Sequence, residues 1–166
     1  MKQFKLFLLL FFILLFQGTV MPLILESRNL AHIQMVPEFL LIILLMTALF
    51  GHFSWGMRYA LIFGLLIDMI FSQILGVHAF AMALSVYLTY QLSRWININI
   101  ATALLLTSVG VIVNQVITYL IYQMIGLTDQ NLLFFLYNHL LPTLLLNAAF
   151  SIILYYPVRR FLDSTL

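Results

Sequence analysis

The chain has no cysteine and very little charge, and each shortage removes a class of protein. Without cysteine there is no disulfide framework, no thiolate metal site and no cysteine nucleophile. Charged residues make up only 7% of the 166 positions, whereas a soluble domain carries about a quarter. With 64% hydrophobic residues and a mean hydropathy of +1.13, the chain has no means of covering itself in water, and lipid is the solvent that suits it. The Lys and Arg residues are scattered over the whole length, so the net charge of +2 makes no basic patch and argues against nucleic acid as a partner. The motifs of catalysis are missing too: there is no nucleophile elbow, phosphate-cradling glycine loop, paired carboxylates or metalloprotease helix. His32, His52, His78 and His139 have no metal-ligand spacing. The expectation is a non-enzyme with no cofactor and no metal.

What the chain does have is long apolar runs separated by short polar breaks. They predict an all-α integral membrane protein, a single transmembrane domain over 1–166 with six helices at about 6–25, 39–53, 59–73, 76–92, 100–125 and 134–156. Lys2 and Lys5 ahead of Leu6 resemble the start of a signal peptide. The apolar run nevertheless continues to Leu25 with no A-x-A-like site after it, so it reads as a retained first helix. Six crossings from a cytoplasmic N-terminus place Lys2, Lys5, Arg58, Arg94, Arg159 and Arg160 inside and only Arg28 outside. That asymmetry puts both termini in the cytoplasm, with Glu26, Glu38 and Asp129 on the outer side. Segments three and four read as short: the apolar stretch from Tyr59 to Phe71 covers only about 20 Å of a ~30 Å hydrocarbon core. A full crossing is the reading adopted, a re-entrant hairpin the alternative.

Asp68 is the acidic residue inside an apolar run, where a carboxylate costs about 2.5–3.5 kcal/mol and needs a partner or a function. Gly64, Asp68 and Ser72 share a helical face, with Gly64 open to a close backbone approach and Ser72 able to hydrogen-bond. A proton or cation relay would need a second intramembrane acid, so Asp68 reads as a structural carboxylate locking segments three and four. His78, just past Gly76, is its candidate partner across the tight connection, with Ser85 and Thr89 on the face of His78. Ala79 and Ala83 form a small-xxx-small pair that could seat a partner helix. Segment five carries a polar stripe of Thr107, Asn114, Gln115, Thr118 and Tyr122, and segment six another of His139, Thr143, Asn147 and Ser151. Amides facing hydrocarbon are costly, so both stripes should face protein or water, either as interhelical glue or as the lining of a solute pocket. Pro142 should kink segment six near its start.

The stretch from Arg58 to His78 resembles the MreD family of bacterial rod-shape-determining membrane proteins, whose pattern of a glycine, an aspartate four residues on and a glycine eight residues later is matched by Gly64, Asp68 and Gly76. Pro37 before segment two and the six-helix plan with cytoplasmic termini are also similar. The resemblance implies a non-catalytic, multi-pass scaffold of the cell-elongation (peptidoglycan synthesis) machinery in the bacterial cytoplasmic membrane. Its implied partners are an MreC-like single-span protein, the actin-like MreB, and the RodA and penicillin-binding-protein synthase pair. The plan also looks like the substrate-binding subunits of energy-coupling-factor transporters, which makes a small-solute-binding subunit the alternative. Those subunits carry an A-x-x-x-A pattern on helix one where this chain has Phe and Leu.

Overall fold

The computed structural model of the protein describes residues 2–20, 23, 35–72 and 74–165, and among them there is no strand. Helix α1 is Lys2–Leu15, widening into a π turn over Phe16–Val20. Helices α2 (Phe39–Phe50), α3 (Phe53–Phe71), α4 (Val77–Ser93) and α5 (Ile100–Met124) follow. Helix α6 runs through Leu132–Phe135, a π turn Leu136–Leu140 and Leu141–Thr165. Four of these helices, α1, α3, α5 and α6, are long and apolar enough to cross a membrane. The expected end of segment one after Val20 and the outer residues Glu26, Arg28 and His32 lie largely outside the described residues.

Segment three is not short. It starts at Phe53 rather than Tyr59, because Ser54, Trp55 and Arg58 continue the helix through what hydropathy alone marks as a break. Its 19 residues reach ~28 Å. Segment four is short as expected, 17 residues or ~25 Å. The truly short helix is α2, whose 12 residues cover ~18 Å. Residues Phe39 to Leu49 of α2 are all buried, so this helix is apolar all round and forms the axis of the bundle. Leu10 and Leu14 of α1, Phe63 of α3, Met82 and Val86 of α4, Val111 of α5 and Tyr155 of α6 join it in one core.

At the start of α5, Asn99 and Thr102 form a reciprocal capping box, which is why the asparagine-rich break ends where it does. In α6, Pro142 removes the N–H that would bond to residue 138, and the turn just before it is π-wound. Helix α6 does not end near residue 156 as expected; it runs on through Pro157 to Thr165. Val158 and Leu162, one turn apart, keep those last turns packed on the core, while the Arg159 guanidinium lies over the Phe50 and Tyr155 rings. Contacts of Tyr59 with Gln3, Phe53 with Tyr90 and Arg159 with Phe50 gather the start of α1, the α2–α3 turn, the end of α4 and the end of α6 at one end of the bundle. Lys5, Arg58, Arg94, Arg159 and Arg160 are exposed and belong to those same four regions.

Candidate functional site: two buried carboxyls

Asp68 sits in the last turn of α3 and is 1% exposed. Its Oδ2 accepts the backbone N–H of Gly76 at 2.9 Å and of Ala79 at 3.1 Å. Its Oδ1 accepts the His78 backbone N–H at 3.0 Å and the His78 ring Nδ1–H at 2.8 Å. The carboxylate therefore caps the N-terminus of α4 from the preceding helix, satisfying backbone donors that the start of a helix leaves open and placing negative charge at the positive end of its dipole.

The local sequence permits this in three ways. Gly76 turns the chain at φ +97°, a left-handed conformation that glycine adopts without strain. Gly64 lets the α4 backbone lie directly on α3: a Cβ there would come within 2.4 Å of the Ala79 Cα and 2.8 Å of its N. Ser72 closes the connection, donating to the Ile74 carbonyl at 3.1 Å and sharing a 3.2 Å hydrogen bond with the Tyr122 hydroxyl of α5. Gly64, Asp68, Ser72, Gly76, His78 and Ala79 are thus one contiguous unit. Ala79 and Ala83 are both buried, and Ala79 is covered by Gly64, so the small-residue pair packs within the chain and offers no outward seat.

The second carboxyl, Glu38, was expected on the outer side of the membrane, next to a polar loop. It is buried, 6% exposed, at the N-terminus of α2 and against the middle of α5. Its Oε1 accepts Asn114 Nδ2 at 2.8 Å and Gln115 Nε2 at 2.5 Å. Gln115 Oε1 in turn accepts the ring Nε2–H of His139 at 2.9 Å, tying α6 to the same point. The backbone beside Glu38 is read by α6. Asn147 Oδ1 accepts the Glu38 N–H at 2.7 Å, Asn147 Nδ2 donates to the Val36 carbonyl at 2.9 Å, and Thr143 Oγ1 accepts the Val36 N–H at 3.1 Å. One side-chain amide bridges residues two apart, as a neighbouring strand would.

Both polar stripes accordingly meet protein. They hold residues 36–38, the segment that enters the bundle before α2. Ser151 and Thr107 bond to carbonyls of their own helices and take no part in this clamp. Thr118 Oγ1 and Thr89 Oγ1 are buried without a hydrogen-bond partner, as are Glu38 Oε2 and Asn114 Oδ1. Hydropathy misses Glu38 because Glu38 abuts a polar loop. The signal that could have found it is the inward-facing trio Asn114, Gln115 and Asn147, whose amides demand a polar partner.

No group of three or more His, Asp and Glu side chains that could hold a metal occurs among the described residues. A bundle of apolar helices whose buried carboxyls bind the chain's own backbone and amides defines the class: an all-helical membrane protein stabilised by internal polar clamps. The chain belongs to the MreD family, since the model of the rod shape-determining protein MreD family matches residues 2–165. It is also 29% identical over 130 residues to the rod shape-determining protein MreD of Bacillus subtilis (strain 168), an alignment covering 78% of this chain and 76% of that protein. No solved structure gives a significant match.

Proposed function

We propose that this rod-shape-determining chain is a non-catalytic scaffold of the bacterial cytoplasmic membrane that crosses it six times with both termini inside. Its task is to bind an MreC-like single-span protein laterally and so join MreB-like filaments to the RodA and penicillin-binding-protein synthase pair. Gathering of the exposed basic residues at one end of the bundle supports the orientation, since that end would face the cytoplasm.

The observation that carries the scaffold reading is the complete engagement of Asp68. Both its oxygens are taken by the chain's own N–H groups and His78, which builds a rigid α3–α4 unit and leaves no acceptor for a reacting group. Occupation of the two polar stripes by residues 36–38 likewise favours a scaffold over a solute-binding subunit.

The test is a pull-down from native membranes with mass spectrometry, run on the wild type and on Asp68→Asn. A scaffold retains an MreC-like protein in the wild type and loses it together with cell-shape rescue in the variant. Shape rescue lost while the partner is retained at wild-type level points to chemistry at Asp68 and overturns the proposal.

A further inference from the structure

We infer that Glu38 is a proton-binding site: the carboxyl carries a hydrogen on Oε2, directed at Oδ1 of Asn114, and stays neutral inside the bundle. The first observation is the lopsided donor set. Two amide N–H groups converge on Oε1, while Oε2 is buried with no hydrogen-bond partner among the described residues. A carboxylate shares its charge over two equivalent oxygens and attracts donors to both, as Asp68 does in this same molecule. A carboxylic acid has one carbonyl oxygen that accepts and one hydroxyl oxygen that donates, which is the division seen at Glu38.

The second observation concerns the amide opposite. Asn114 donates through Nδ2 to Oε1, and its own Oδ1 is buried without a donor. Two acceptor-only oxygens, one on each partner, are left over on neighbouring groups. A single hydrogen between them satisfies both and closes the eight-membered ring in which an acid and an amide pair. The Thr118 hydroxyl, one turn further along α5, has no hydrogen-bond partner and so does not fill this role.

The surroundings set the energetic sign. Helix α5 meets Glu38 just past the midpoint of its 25 residues, inside a long apolar helix where a bare charge is costly. The groups facing Glu38 are the neutral amides of Asn114 and Gln115 on α5 and of Asn147 on α6. From α1, Gln17 accepts the N–H of the nearby Leu40. The titratable neighbour is His139, one hydrogen bond removed through Gln115. Among the described residues no ion pair involves Glu38. The chemistry is simple proton uptake, a carboxylate and a proton giving the acid, and it pins residues 36–38 between α5 and α6 without a buried charge. Losing the proton would place an uncompensated charge in that clamp and loosen the entry to α2.

The experiment is infrared spectroscopy on the full-length protein in lipid nanodiscs at neutral pH. The chain has two glutamates, Glu26 and Glu38, so 13C-glutamate labelling in a Glu26→Gln background leaves Glu38 as the one labelled carboxyl. The expected result is a carboxylic-acid carbonyl band that shifts with the label. A second variant, Glu38→Gln, should lose that band and keep the fold, because glutamine reproduces the neutral acid. A label that moves only carboxylate bands overturns the inference, as does an acid band that survives in Glu38→Gln. Thermal stabilisation by sodium with no acid band would show a metal cation in place of the proton and would equally overturn it.

Discussion

Asp68 and Glu38 are both buried carboxyls in a chain that has almost no charge, yet they are built in opposite ways. Asp68 is held by three backbone N–H groups and the His78 ring, four hydrogen bonds divided evenly between its two oxygens. Glu38 is met by side-chain amides from α5 that crowd onto one oxygen. The difference teaches that a low-dielectric interior tolerates an anion only where preorganised dipoles replace water. The N–H groups at the start of α4 that point at Asp68 are such dipoles, whereas the Glu38 side chain, although Glu38 stands at the start of α2, makes no capping bond to that helix and meets side-chain amides instead.

The two sites can be set against each other by experiment. The largest effect is expected from Asp68→Ala, which strands three backbone N–H groups and His78 at the start of α4. A loss on the order of 3–5 kcal/mol should appear as a sharply lowered thermal unfolding midpoint in detergent. Next is Gly64→Ala, whose new methyl must displace the α4 backbone rather than a side chain. About 1–3 kcal/mol of destabilisation is expected in the same assay, and a neutral result would show that the α3–α4 contact is looser than the distances indicate.

Asn147→Leu on the Glu38 side removes the amide bridging Val36 and Glu38 and should cost about 1–3 kcal/mol. Faster hydrogen exchange at the Glu38 amide would localise the effect. Smaller still is Gly76→Ala, where open space surrounds the new methyl and only the left-handed backbone resists. About 1 kcal/mol is expected, and a larger loss would show that the turn tolerates less than its empty surroundings suggest. The smallest belongs to Glu38→Gln, at most about 0.5 kcal/mol by urea or thermal unfolding, since the amide keeps an acceptor for Asn114 and Gln115. A loss there as large as that from Asp68→Ala would erase the distinction between the two sites.

Much of this was legible in the residues. The spacing of Gly64, Asp68 and Gly76 marked a tight α3–α4 hairpin, and His78 was identified as the partner of Asp68, which its ring contacts at 2.8 Å. The inward-facing stripes of Asn114, Gln115, Thr143 and Asn147 were legible because an amide in hydrocarbon must find a partner. What they hold was not. The partner segment, 36–38, lies 107 to 111 positions away from Thr143 and Asn147 in the chain, and helical periodicity carries no information across that separation. The start of α3 was misread for a related reason. Hydropathy records the change from apolar to polar side chains, whereas the helix continues for as long as its backbone bonds do.

The sequence by itself determined the solvent, the helical class and the α3–α4 clamp, because each depends on composition or on residues within about a dozen positions of each other, where local geometry dictates contact. Only the tertiary structure decided which helix is the buried axis and what the polar stripes grip. An all-apolar run such as 39–50 reads alike whether lipid or protein surrounds it. Glu38 became an interior group only when α5 and α6 closed over it.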